Sequence, residues 1–104
     1  MKGNKMPENG DLQRLFTLLK KSVAWGSENG FPAFRKYPQY RDVRIVGEEI
    51  GRREGFAGLR AALSWLSSLP DSEIQEFHSG GMRPEGWATS FWNGINTRDG
   101  DWRS

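Results

Sequence analysis

Cysteine is absent from the 104 residues. That removes disulfides, thiolate nucleophiles and thiolate metal ligands together, so stability must come from packing. Histidine occurs once, as His78. One histidine without cysteine cannot assemble a zinc site, and no metal or cofactor is expected. No apolar run approaches the roughly 20 residues that cross a bilayer, so no membrane partner is expected either. Met1 to Asp11 carries two lysines but no hydrophobic block, which does not fit a secretory leader; the chain reads as soluble and cytoplasmic. Alternating runs of β-branched residues are missing, which argues against a sheet.

Charge of one sign is also scarce, with a formal net charge of +2. It is unevenly placed. Residues 1–60 hold 12 Lys/Arg against 7 Asp/Glu, and residues 61–104 hold 3 against 6. Such an asymmetry can steer the basic half toward an acidic partner, although an excess this small also fits an ordinary mixed surface.

Aromatic residues are plentiful: five Trp, six Phe and two Tyr. Their large buried area suits a chain that is long enough for one domain and one core. Helical periodicity dominates. Asp11 is placed to cap a first helix whose apolar face is Leu12, Leu15, Phe16, Leu19 and Val23, with Gly26 as its stop. Residues 40–69 carry two further stripes, Tyr40, Val43, Val46 and Ile50, then Phe56, Leu59, Leu63 and Leu66, which can close on each other as a hairpin across Gly55. Ser72 and Gln75 have capping-box spacing before a short helix with Ile74, Phe77 and His78 on its apolar side, ended by Gly80-Gly81. Pro84 opens a last helix bearing Trp87, Ala88, Phe91, Trp92 and Ile95. The expectation is an all-α, single-domain bundle of four to five helices around the hairpin at about 40–69, with residues 1–10 as a flexible arm and 11–104 as the helical domain.

Gly47, Gly51 and Gly55 recur every four residues along the hairpin's first half. Each internal glycine costs a helix about 1 kcal/mol relative to alanine, so the spacing points to close approach of another backbone, a ligand or a partner. A phosphate loop is excluded, because no strand precedes the glycines and no Lys-Ser/Thr follows them. A DNA-reading helix-turn-helix fails as well: the second helix, Phe56 to Leu66, offers only Arg60 to a groove.

Arg35, Lys36, Arg41 and Arg44 interleave with Phe34, Tyr37 and Tyr40 between Pro32 and the hairpin. Rings and cations together suit protein interfaces, and they also suit single-stranded nucleic acid through stacking and phosphate pairing. The plainer reading turns the rings inward and the cations to water, with Asp42 and Glu48 close enough to neutralise Arg41 or Arg44. Glu48 with Arg52, and Glu49 with Arg53, have the spacing of helical ion pairs.

Catalytic candidates are thin. His78 has Ser79 beside it, but adjacent helical residues do not face each other. Asp99-Gly100-Asp101 lacks the further ligands of a calcium loop. The leading expectation is therefore a small non-enzymatic protein-binding module, of the accessory, immunity or antitoxin-like kind. Its contacting group would be Arg35, Tyr37, Tyr40, Arg41 and Arg44, with Trp92 and Trp102 behind them. A nucleic-acid binder using the same strip, residues 34–44, is the alternative, and the aromatic last helix leaves room for self-association.

Overall fold

The computed structural model describes residues 7–103. Helix α1 spans Asn9–Asn29 and buries the expected stripe of Leu12, Leu15, Phe16, Leu19 and Val23. It begins ahead of Asp11, which lies in the first turn and pairs with Arg53 instead of capping. Of residues 1–10, expected as a flexible arm, Pro7 is buried and Asn9 and Gly10 are helical, while residues 1–6 lie outside the described range.

Gly26 does not stop α1. The helix runs on to Gly30, which takes φ +80° and donates its N–H to the Gly26 carbonyl. Gly26 is there for space. A Cβ at that position would stand 2.6 Å from the Tyr37 hydroxyl and 2.8 Å from Phe31 Cδ1, so the glycine seats the returning loop.

Helix α2 spans Tyr40–Ser67 and is broken at Gly55, whose φ of 67° and ψ of −157° belong to no helix. The turn is sharp. Eight residues along a straight helix are separated by about 12 Å, yet a Cβ on Gly58 would lie 3.0 Å from Ile50 Cγ2. The second half therefore folds against the first. Val43, Val46 and Ile50 from one side and Leu59, Ala62 and Leu66 from the other are all fully buried.

The short helix expected after Pro70 forms as two 3-10 turns, Asp71–Glu73 and Gln75–Gly80, and neither has a side-chain cap. Ile74 and Phe77, three residues apart, match the 3-10 period and both point inward. Gly81 ends the second turn at φ +69°. Helix α3, Pro84–Trp92, has its proline at the N-terminal position where no amide is needed, and it buries Trp87, Ala88, Phe91 and Trp92. The chain then makes a small antiparallel ladder that the sequence reading did not anticipate. Strand β1 (Asn96–Thr97) pairs with β2 (Gly100–Asp101), Asn96 opposite Asp101 and Thr97 opposite Gly100. Two-residue strands are too short to leave an alternating pattern.

The fold is all-α apart from this ladder, with α1, the two halves of α2 and α3 forming a compact bundle. Its radius of gyration is 13.2 Å, against about 13 Å for a compact chain of 100 residues. Among the described residues, no helix is long and apolar enough to cross a membrane, and no group of three His, Asp or Glu could hold a metal.

Candidate interaction surface

The glycine face of α2 is filled by the chain itself. A Cβ on Gly47 would strike the Trp92 indole, 2.7 Å from Cδ1, and one on Gly51 would stand 2.6 Å from Thr97 Cγ2. A Cβ on Gly55 would collide with the Asp99 carboxylate. That carboxylate accepts from the Phe56 amide at 2.9 Å, capping the second half of α2 where the kink frees an N–H. Arg98 completes the clamp, its Nη1 donating to the Arg53 carbonyl at 2.7 Å and its backbone N–H to the Gly51 carbonyl at 3.2 Å. The acidic tail residue Asp99 is thus a helix cap. The glycine repeat and the C-terminal hairpin are one packed unit.

The strip between α1 and α2 divides by side. The 3-10 turn Phe34–Lys36 sits between Pro32 and Pro38, and the three-residue spacing of Phe31, Phe34, Tyr37 and Tyr40 turns its rings toward the body. Phe34 packs edge-on to Trp87 and Phe91, with centroids at 5.2 and 4.9 Å. Tyr37 is 4% exposed, against Trp25, Trp87 and Phe91. Burial pushes its phenol pKa above the ordinary value. Arg35, Lys36 and Arg41 face outward, exposed, and none of their side chains has an ion-pair or hydrogen-bond partner among the described residues.

Of the seven residues expected to contact a partner, four belong to the interior framework. Tyr37 and Trp102 are buried and Trp92 is wholly enclosed. Trp92 Nε1 donates to the Val43 carbonyl at 2.9 Å, and Trp102 lies edge-on to Phe56 at 5.6 Å. Arg44 is a clip: Nη1 donates to the carbonyls of Phe91 and Asn93, both at 2.8 Å, satisfying the C-terminal end of α3 with a cation. Its guanidinium also covers the Tyr40 ring at 5.2 Å. Asp42 and Glu48, expected to neutralise Arg41 or Arg44, pair with neither. Tyr40 is half-buried, which leaves Arg35, Arg41 and Lys36 as the accessible members of the strip.

The expected pairs Glu48–Arg52 and Glu49–Arg53 do not form; Glu49 and Arg53 reach across to α1, and Arg53 also meets Glu54 at 3.7 Å along its own helix. Glu49 meets Arg14 at 3.5 Å and Arg53 meets Asp11, so α1 is latched to α2 by two ion pairs. The hydrogen bond that Arg53 donates to the Asp11 carboxylate raises the Arg53 pKa above its ordinary value.

Two features beside the strip carried little sequence signal. Phe31 takes φ +53°, a left-handed conformation that costs a bulky residue energy, and its ring stays 39% exposed. Asn29-Gly30 marks the turn, but nothing in the composition marks the strained residue after it. The second is a cavity of about 320 Å³ lined by Ile74, Phe77, His78, Gly81, Met82 and Arg83. No carboxylate lines it. Arg83 donates to Glu85 at 3.0 Å and to the carbonyls of Ser67 and Leu69, while the Ser79 hydroxyl turns back to the Glu76 carbonyl at 3.1 Å and not toward His78.

No protein-family model matches the sequence, and comparison with curated proteins and with solved structures returns no similar protein.

Proposed function

We propose that this chain is a small intracellular, non-enzymatic module that binds a protein partner through the outward side of the strip between α1 and α2. The observation that carries the reading is the fate of its cations. Arg14, Arg53, Arg83 and Arg103 are held in ion pairs, and Arg44 and Arg98 by backbone carbonyls. Among the described residues the side chains of Arg35, Lys36 and Arg41 have no ion pair or hydrogen bond; Lys21 and Arg52 share that state singly, whereas these three stand within seven positions of one another. Unpaired cations on a rigid, aromatic-backed turn favour electrostatic steering of an acidic surface.

Nucleic acid is the weaker reading. Sequence-tolerant binding of single strands needs exposed rings on which bases stack, and of the strip's rings Tyr37 is buried while Phe34 and Tyr40 are partly so.

The test is affinity capture from the native host with the wild-type chain and with an Arg35→Glu, Lys36→Glu, Arg41→Glu variant. A protein enriched by the first and lost by the second is the expected result. Equal enrichment by both, or none by either, removes the basis of the proposal. A labelled single-stranded oligonucleotide at low salt completes the comparison, since phosphate-driven binding would appear there first.

A further inference from the structure

Two groups of charges in this chain find no partner within the fold, and they are of opposite sign. The first is the strip, where Arg35, Lys36 and Arg41 are exposed and unpaired among the described residues. The second lies on the 3-10 turns after Pro70. Glu73 and Glu76 are exposed there, and neither carboxylate has an ion pair or hydrogen bond among the described residues. Asp71, on the same turns, reaches Arg83 at 3.6 Å. Unpaired carboxylates also occur at Glu28, Asp42 and Glu48, but Glu73 and Glu76 differ in what stands beside them. They directly precede Ile74 and Phe77, which with Met82 give the cavity of about 320 Å³ its apolar lining. The acidic turns therefore carry an apolar opening. The strip has the matching feature: Phe31, four residues before Arg35, is the one large hydrophobic side chain left exposed among the described residues.

We infer that the partner of the proposed interface is a second copy of this chain, whose acidic 3-10 turns receive Arg35, Lys36 and Arg41 and whose cavity mouth is covered by the exposed edge of Phe31. This inference rests on the protein-binding reading above and names its partner. Three cations meet three carboxylates, and the charges that neither group satisfies within one chain are satisfied between two. The formal net charge of +2 opposes the approach of copies only weakly. Apolar contact at Phe31 supplies affinity, while the surrounding charges supply rate and register. One patch meets a different patch on the next copy, so the contact is heterologous. It closes into a ring or continues as a chain according to the rotation between copies.

The test uses the purified chain alone, by sedimentation velocity at low salt. Association beyond the monomer is expected below about 1 mM, weakened at least about tenfold by 0.5 M salt, which screens exposed charges. Two charge-reversed variants follow, Arg35→Glu, Lys36→Glu, Arg41→Glu and, separately, Glu73→Lys, Glu76→Lys. Each alone should be monomeric, because its two patches then carry the same sign. An equimolar mixture of the two should associate, since each variant restores the complement the other lacks. Phe31→Asn, a residue that tolerates the left-handed backbone, should weaken association about tenfold. In the unmutated chain, the amide resonances of Arg35, Arg41, Glu73 and Glu76 should shift with protein concentration, which keeps the question answerable if a variant folds poorly.

A wild-type chain that stays monomeric to about 1 mM at low salt overturns the inference. So does association that survives either charge reversal, or a mixture of the two variants that stays monomeric. The capture experiment is separate from these outcomes: an acidic protein of another kind taken from the host by a monomeric chain would leave the protein-binding reading standing without the second copy.

Discussion

Two stretches of this chain combine small or turn-forming residues with charge, and they end in opposite states. Along Gly47, Gly51 and Gly55, every opening is occupied: the Trp92 indole, the Thr97 methyl and the Asp99 carboxylate fill the space that side chains would have taken. Around the turn at 31–41, the rings are used for packing while the side chains of Arg35, Lys36 and Arg41 have no partner among the described residues and Phe31 is held in a strained, half-exposed state. The first stretch shows that a regular small-residue repeat can be consumed entirely by internal packing. The second shows that an irregular loop can retain chemistry that the fold does not need. Regularity in sequence is a guide to architecture, and an unused charge is the better guide to a surface.

The contrast can be broken most severely at Trp92. Trp92→Ala should cost about 3–5 kcal/mol, a large part of the about 5–15 kcal/mol that holds a domain together. Urea denaturation would show the midpoint collapse, or no folded baseline at all. Gly47→Ala should cost about 1–3 kcal/mol by overpacking against the indole, even though alanine favours helix by about 1 kcal/mol. A midpoint unchanged or raised would mean that the indole moves aside freely and that the glycine face is not tightly filled.

Arg44→Met tests whether that arginine belongs with the framework or with the surface. Loss of its two carbonyl contacts should lower stability by about 1–2 kcal/mol, read as a fall in Tm. Arg35→Ala and Arg41→Ala should each stay within about 0.5 kcal/mol of wild type, because both are exposed and neither side chain has an ion pair or hydrogen bond among the described residues. A large loss at Arg41 would move it into the framework group.

The pH dependence follows from Tyr37. Its pKa is raised in the folded chain by burial, so the neutral phenol is the form the fold retains. Below the unfolded value of about 10 its contribution is complete, and stability falls as pH rises from there through the folded pKa. Ultraviolet titration should find the Tyr37 phenolate appearing only above the ordinary tyrosine range, or together with unfolding. A small gain is expected at Gly10, in the first turn of α1, where a Cβ would meet no described atom within 4 Å. Gly10→Ala should stabilise by about 0.4–1 kcal/mol, opposite in sign to Gly47→Ala.

Much of the framework is legible in the residues. The three- and four-residue spacings of α1, the first half of α2 and α3 survive as buried stripes, because the helical period fixes which side chains share a face; in the second half of α2, Leu59 and Leu66 are buried with Ala62, while the expected Phe56 and Leu63 are only partly so. The end of α1 is a different matter. Gly26 looks like a stop by type, yet glycine is equally suited to close approach, and only the position of Tyr37 and Phe31 decides between the two. The short ladder at 96–101 is illegible because two residues make no period. The expected contact group was half legible: the spacing of rings and cations separates their faces, but no local pattern could tell that Arg44 would find the carbonyls of Phe91 and Asn93, 47 and 49 positions away.

By itself, then, the sequence determined an all-α chain with its helical stripes, its kink at Gly55 and its excess of aromatic packing material, since each of these follows from local periodicity and backbone freedom. Tertiary structure alone decided which glycines are seats and which are ends, which arginines are clips, and where the cavity beside Ile74 and Phe77 opens. Those outcomes depend on groups distant in sequence meeting at contact distance, and no local pattern encodes such a meeting.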